Sequence, residues 1–245
     1  MPIFYCSWKI FETNRKDTCT LFAAMSLDDH KNQEGKDVNI LGRWHNTGDC
    51  GGFLVAEAKD VVTFNKWVYG WIPMCDIQTQ VVLDDDDHRA ILLKRLGKPA
   101  ADWKATQARE TNAEPKDGET IYFIRYAFNP GMVMKGFEAF ACMTQEQDQK
   151  DCGACAPMGR WHNAGTGSGI AVCAAKSAKD VYGWAVNWAG ICVCEVTPVV
   201  TDAQARDIIR GNPDFKTSLT AFHKKLGFLP GGVKTVEEAM KRIGL

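Results

Sequence analysis

The sequence lacks an excess of charge of either sign, because 29 lysine and arginine residues are balanced by 30 aspartate and glutamate residues. Nucleic-acid-binding proteins concentrate basic residues on one face, so this balance argues against a nucleic-acid partner. No apolar run approaches the roughly 18–20 residues that a membrane-spanning helix requires, which argues against a membrane location. The N-terminus also lacks the basic, apolar and small-residue order of a secretory leader. We therefore expect a cytoplasmic protein whose ten cysteines are reduced thiols.

The short motifs that identify common enzyme classes are also missing. The chain has no P-loop, no G-x-G-x-x-G fingerprint, no H-E-x-x-H pair and no G-x-S-x-G elbow. Nucleotide-dependent chemistry and serine hydrolysis therefore have no support in the sequence.

What the sequence does contain is an internal duplication. LGRWHNTGDCGGFLVAEAKD at 41–60 returns 117 residues later as MGRWHNAGTGSGIAVCAAKS at 158–177, with ten of the twenty positions identical. The same offset continues on both sides without a gap, which a chance match does not explain. The sequence therefore predicts a first repeat over 1–92, a linker over 93–117, a second repeat over 118–209 and a partly helical extension over 210–245.

The order of elements within each repeat predicts a fold. Aromatic and β-branched runs alternate with apolar stripes at helical spacing to give strand–helix–strand–strand–helix–strand, the ferredoxin-like order. One such unit leaves a face of its sheet uncovered, and two joined copies can pack these faces together. We predict an α+β protein with two tandem ferredoxin-like units in an intramolecular, pseudo-twofold dimeric α/β barrel.

A resemblance to a known family supports this fold. The G-R-W-H core, the Gly-Phe strand after it, two tryptophans four residues apart and a strand ending in Pro-Val resemble a small bacterial family of uncharacterised function. That family belongs to the dimeric α/β-barrel superfamily, which includes cofactor-independent monooxygenases, haem-degrading enzymes, cyclases, isomerases and plain ligand-binding proteins. The resemblance implies the barrel and a small-molecule ligand, and it does not choose a reaction.

Two of the five histidines, His45 and His162, occupy equivalent positions at the end of the second strand of each repeat. Histidine is the side chain most easily used as an acid or base near neutral pH. Strand alternation places Arg43 on the same face as His45, and Trp44 on the opposite face. Either face can line a cavity, or the segment can be a structural corner in which the tryptophan fills the core.

From these patterns we derive two groups of candidate site residues. A carboxylate that works with His45 would come from Glu57 or Asp76 and would exist in the first repeat only. The candidate catalytic residues are His45, His162, Arg43 and Arg160, and the candidate substrate-binding residues are Trp44, Asn46, Trp161, Asn163 and Glu57.

Paired tryptophans recur on the second helix of each repeat. Their spacing of four residues within an apolar stripe is more typical of a helix packed against a core than of an aromatic ligand box. The pairs are Trp67 with Trp71 and Trp184 with Trp188.

Cys152 and Cys155 form a C-x-x-C pair seven residues before His162. Such a pair can bind zinc, cycle as a dithiol or be two inert thiols, and no second pair at zinc spacing follows. A metal site with His162, Cys152 and Cys155 as ligands is one hypothesis, with zinc or another divalent metal as the ion. The acidic run at 84–88 is better explained by capping of a helix, with Asp85 and its equivalent Asp202 as the caps.

Three functions remain open at this point. The first is a cofactor-independent enzyme of the oxygenase, cyclase, isomerase or lyase type that uses histidine as acid or base on a partly apolar substrate. The second is a non-catalytic carrier or sensor of a small ligand, and the third is a metal-dependent enzyme. In each case we expect a monomer whose partner is a small molecule.

Overall fold

The chain contains eight strands and ten α-helices. A computed structural model describes all of its residues, 1–245. The strands are β1 Ile3–Ile10, β2 Val38–Asn46, β3 Gly51–Ala58, β4 Cys75–Asp84, β5 Thr120–Phe128, β6 Ala156–Asn163, β7 Ser168–Ala175 and β8 Cys192–Thr201. The helices are α1 Arg15–Ala24, α2 Leu27–Glu34, α3 Val61–Tyr69, α4 Asp85–Arg95, α5 Val133–Cys142, α6 Gln145–Cys152, α7 Ala178–Asn187, α8 Asp202–Arg210, α9 Phe215–Leu226 and α10 Val236–Arg242.

The predicted order of elements is confirmed in both repeats, with one addition. The first helical segment of each repeat is two helices, because a new helix begins after Ser26 and after Thr144. Each of these residues forms a capping box with the third residue of the helix, which satisfies two backbone donors at the new N-terminus. The chain is a mixed α+β protein, as predicted.

The chain divides into two compact units that do not coincide with the two repeats. Unit 1 comprises Met1, Cys6–Thr79 and Val200–Leu245, and unit 2 comprises Pro2–Tyr5 and Gln80–Val199. Helix α8 of the second repeat therefore belongs to unit 1, and helix α4 of the first repeat belongs to unit 2. The predicted boundaries at 92 and 118 describe the duplication and not the packing.

The sheet of unit 1 has the strand order β1-β3-β2-β8. His45 in β2 pairs with Gly52 in β3 on one side and with Val200 in β8 on the other. Helix α1 packs on α8 and α9, and the extension contributes α9 and α10 to a hydrophobic cluster around Leu219. The C-terminal extension is thus a structural part of unit 1.

The sheet of unit 2 has the order β8-β5-β7-β6-β4. His162 in β6 pairs with Gly169 in β7 and with Leu83 in β4, which repeats the pairing of His45. The segment predicted as a linker packs on this unit, where the backbone N–H of Thr106 donates to Asp148.

None of the helices combines the length and the apolar character needed to cross a lipid bilayer.

Candidate functional site

The two faces of strand β2 have different environments. Arg43 and His45 share one face, as strand alternation predicts, and both line a cavity in unit 1. Trp44 points the other way and is 1% exposed, so it is a core residue. Strand β6 repeats this division, with Arg160 and His162 beside a smaller cavity and Trp161 4% exposed.

Asp202 is the carboxylate partner of both His45 and Arg43 in unit 1. His45 Nε2 lies 2.6 Å from Asp202 Oδ1. Arg43 donates to the same carboxylate from Nε at 2.7 Å and from Nη2 at 2.5 Å. The second guanidinium partner is Glu34, whose Oε1 lies 3.5 Å from Arg43 Nη1.

The pairing of β2 with β8 explains why this aspartate reaches the site. Val200 lies beside His45, and helix α8 begins two residues later. The side chain of Thr201 caps α8 by accepting from the backbone N–H of Gln204, which leaves Asp202 free to point at the histidine. The prediction that Asp202 is the helix cap is therefore wrong, and so is the assignment of the carboxylate to Glu57 or Asp76.

Unit 2 contains the same constellation built from the opposite repeats. Asp85, the first residue of α4, bonds His162 Nε2 and accepts from Arg160 Nε at 2.7 Å. Here too the preceding residue, Asp84, is the cap. A second carboxylate, Asp148, accepts from Arg160 at 2.8 Å and 3.0 Å and is fully buried.

Electrostatics give His45 a defined protonation state. Burial lowers the pKa of His45 below its ordinary value of 6.5, and the nearby Asp202 carboxylate opposes this shift only in part. Burial of Asp202 is outweighed by His45 and Arg43, which hold the pKa of that carboxyl well below its usual range. With its pKa below 6.5, His45 is neutral at pH 7, and because the ionised Asp202 can only accept a hydrogen bond, the single ring proton lies on Nε2. Its Nδ1 is then an unprotonated acceptor.

The cavity of unit 1 has a volume of about 500 Å³, which is within the usual range for small-molecule sites. It lies between the sheet and the helices of this unit. Trp67 and Trp71 of the α3 segment line it together with Trp8 and Phe22, so the first tryptophan pair is a cavity wall as well as a helix face.

The equivalent cavity of unit 2 is only about 70 Å³. Tyr126 reaches into it and bonds His162 Nδ1 through its hydroxyl at 2.5 Å. Trp184 and Trp188 both donate their indole N–H to Asp151 at 2.8 Å. Tyr126, Trp184 and Trp188 all line this smaller cavity.

Several polar atoms in the wall of the unit 1 cavity are buried without a hydrogen-bond partner. They are Arg15 Nε, Thr18 Oγ1 and Trp67 Nε1, and His30 also lines the cavity. Burial and the nearby Arg43 and Arg206 lower the pKa of His30 to about 3, so this ring is neutral. Buried polar groups normally find a partner, and these atoms have none within the protein.

The structure separates the predicted substrate-binding residues. Asn46 lines the unit 1 cavity together with His45, whereas strict strand alternation would put it on the opposite face. Asn163 instead stabilises a turn, where its Oδ1 accepts from the backbone of Gly165 and Thr166. Glu57 lies outside the cavity and accepts from Asn39 at 3.3 Å. With Trp44 and Trp161 in the core, only Asn46 of the five remains a candidate.

The predicted metal ligands do not come together. Cys152 and Cys155 are buried in a hydrophobic cluster, where the Cys155 thiol interacts with Cys173. His162 bonds Asp85 and Tyr126 instead. No group of three or more His, Cys, Asp or Glu side chains has the arrangement of a metal site, and all ten cysteines are free thiols.

The ungapped alignment of the two repeats is displaced by one residue in the first strand, so it misses the equivalence of Trp8 and Tyr126. The unbroken 117-residue offset matches Tyr126 to Lys9, an exposed residue paired with Asp49. In the structure Tyr126 is equivalent to Trp8, since each ring lies against the glycine opposite the histidine, Gly169 or Gly52. A side chain at either glycine would collide with that ring.

Comparisons with known proteins give one family and a set of distant structures. A family model described as a domain of unknown function (DUF3303) matches residues 2–96 and 121–212, consistent with a tandem duplication. No curated protein matches the sequence significantly.

Seven solved chains show significant structural similarity. A candidate monooxygenase from Lactobacillus acidophilus is 11% identical with a TM-score of 0.46, and the match covers 82% of this chain and 94% of that one. A candidate monooxygenase from Fusobacterium nucleatum is 7% identical with a TM-score of 0.47, covering 82% and 92%. A candidate chlorite dismutase is 9% identical with a TM-score of 0.45, covering 85% and 99%.

Proposed function

The chain belongs to the DUF3303 family, and we propose that it is an enzyme that removes a proton from a small, partly apolar molecule in the cavity of unit 1. One observation carries the proposal. His45 lines a cavity of about 500 Å³ and its Nε2 is bonded to Asp202, which leaves Nδ1 as the ring nitrogen that can act on a substrate. A carboxylate behind a histidine fixes the tautomer and stabilises the imidazolium that forms when the histidine takes a proton.

The remaining residues of the site have supporting roles. Asp202 positions His45, and Arg43 holds Asp202 in place through two hydrogen bonds. Thr18 and Trp67 carry buried polar groups, and Asn46 lines the cavity next to the histidine in the sequence. These groups can orient a substrate and stabilise charge that develops when its proton leaves.

Unit 2 is a structural copy of this site under the same proposal. His162 and Arg160 keep their carboxylate partners, but Tyr126 takes the ring nitrogen that a substrate would need. Of the candidate catalytic residues, we therefore assign the acid–base role to His45 alone.

The reaction type, the cofactor requirement, the cellular location and the oligomeric state are proposals as well. Oxygenase, cyclase, isomerase and lyase reactions that begin with loss of a proton are all compatible with a base in an apolar cavity. We propose that the enzyme needs no cofactor and acts as a cytoplasmic monomer with a small-molecule partner.

A test needs no knowledge of the natural substrate, because 5-nitrobenzisoxazole reports on any base in an apolar cavity. A base takes its C3 proton, the N–O bond breaks, and the bond electrons go to the oxygen of a coloured phenolate. We expect saturable elimination by the wild-type protein, and a loss of about 100-fold or more in His45→Ala. The phenolate absorbance gives both rates.

The matched control is His162→Ala, which removes the equivalent histidine from unit 2. Its elimination rate should stay within about twofold of wild type, because the reaction takes place in unit 1. An unchanged rate in His45→Ala would overturn the assignment of the base. Saturable binding of the probe without elimination would replace the enzyme proposal with a carrier.

A further inference from the structure

The tyrosine of unit 2 shows what the histidine of this fold accepts as a partner. The Tyr126 hydroxyl lies 2.5 Å from His162 Nδ1, and His162 Nε2 bonds Asp85. Burial raises the pKa of Tyr126 above its ordinary range, so the phenol keeps its proton. Asp85 is ionised and can only accept from Nε2, so in the neutral ring Nδ1 is the acceptor and the phenol donates to it. The site is a hydrogen-bond acceptor for an aromatic hydroxyl group.

The equivalent position in unit 1 holds a ring that does not make this bond. Trp8 lies against Gly52 as Tyr126 lies against Gly169. It contacts His45 with its edge at a centroid distance of 5.5 Å and makes no hydrogen bond to it. The only hydrogen-bond partner of His45 is Asp202.

The walls around His45 suit a flat, apolar ring. Phe22 lies 4.7 Å from the His45 ring, and Trp8, Trp67 and Trp71 complete an aromatic lining. Such surfaces favour an aromatic ligand that stacks or packs edge to face. A carboxylate is a poor partner for the histidine itself, because it has no proton to donate to an unprotonated Nδ1.

We infer that the cavity of unit 1 binds a phenol, a ligand whose ring-borne hydroxyl donates to His45 Nδ1, and that Tyr126 occupies the corresponding place in unit 2. The inference rests on the proposed function in that it names a substrate class for the same histidine. It also predicts one binding site in each chain, in spite of the duplication. The Tyr126 side chain therefore has, in unit 2, the position that we infer for the phenol in unit 1.

The test uses 4-methylphenol, which has the chemistry of a tyrosine side chain, and toluene, which lacks its hydroxyl. Isothermal titration of the full chain should give one site for 4-methylphenol and at least about tenfold weaker binding of toluene, since the buried acceptor is then left without a donor. His45→Phe should remove the preference for 4-methylphenol. Equal affinities of the two probes in wild type would overturn the inference, as would preferential binding of benzoate.

Two exchanges between the units make the test specific. Trp8→Tyr places a tyrosine in unit 1 where unit 2 has one, and it should abolish binding of 4-methylphenol. Tyr126→Ala should open unit 2 and raise the stoichiometry from one to two, whereas Tyr126→Phe keeps the ring and should leave one site. Retained binding in a folded Trp8→Tyr protein would contradict the inference, even if Tyr126→Ala does not fold.

Failure of this inference can be told apart from failure of the proposed function. Binding of 4-methylphenol requires no proton transfer, and elimination of 5-nitrobenzisoxazole requires no phenolic substrate. If elimination depends on His45 but 4-methylphenol binds no better than toluene, the phenol inference is wrong and the proposed base catalysis stands. Preferential binding without elimination would leave a phenol-binding protein without base catalysis.

Discussion

Replacement of Asp148 by alanine is expected to lower the free energy of unfolding by about 3–5 kcal/mol, because it leaves the buried Arg160 guanidinium without half of its partners. Asp148 is 0% exposed and accepts hydrogen bonds of 2.8 Å and 3.0 Å from Arg160. It also accepts one of 2.8 Å from the backbone of Thr106. Urea denaturation at neutral pH, followed by circular dichroism, measures the change.

Glu146→Ala is the matched control, because Glu146 is an exposed carboxylate on the same helix, α6. It should change the free energy of unfolding by less than about 0.5 kcal/mol. A loss below about 1 kcal/mol in Asp148→Ala would mean that the guanidinium finds water or another partner, and that the ion-pair cluster of unit 2 contributes little to stability.

The second large effect is expected for Asp202→Asn, which should lower the rate of 5-nitrobenzisoxazole elimination by about 100-fold or more. The amide cannot stabilise the imidazolium by charge, and it no longer fixes the proton on His45 Nε2. Asp85→Asn is the matched control, because it removes the equivalent carboxylate from His162 and Arg160 in unit 2. Similar losses of rate in both variants would show a general loss of structure and not a role in positioning His45.

The pH dependence of the elimination rate distinguishes a role of Asp202 in positioning His45 from a role in folding. The base must be neutral, so the rate falls when His45 gains a proton, and the lowered pKa of His45 places this fall below pH 6.5. Arg43 and Arg206 lower this pKa and Asp202 raises it, so removal of the Asp202 charge should move the fall to still lower pH. A profile that does not move in Asp202→Asn would contradict this electrostatic coupling.

The sequence was sufficient to predict the order of elements and the division of strand β2 into two different faces. Strand alternation placed Arg43 and His45 together and Trp44 opposite them, as the structure shows. Alternation cannot tell which face the helices cover, and so Trp44 was counted among the ligand-binding residues.

The carboxylate partner was the main residue missed. Asp202 lies 157 positions from His45 along the chain, and the contact depends on pairing between strands of different repeats. One pattern could have indicated it, since Asp85 and Asp202 recur at the same offset as the two Arg–His pairs while the acidic residues beside Asp85 do not recur. Both aspartates were interpreted as helix caps because they stand at a helix start, where caps are common.

The difference in volume between the two cavities could not be predicted from the sequence either. It depends on a one-residue slip that brings Tyr126, and not Arg125, to the position of Trp8. A shift of one residue in a strand moves each side chain to the other face, so an ungapped alignment assigns the wrong partner.

Helices α4 and α8 each lie in the unit formed mainly by the other repeat, which has a consequence for any separation of the two repeats. His45 of the first repeat depends on a carboxylate encoded in the second, and His162 depends on one encoded in the first. A deletion that kept either copy alone would leave its histidine without this partner. Each repeat therefore supplies the carboxylate that completes the Arg–His pair of the other.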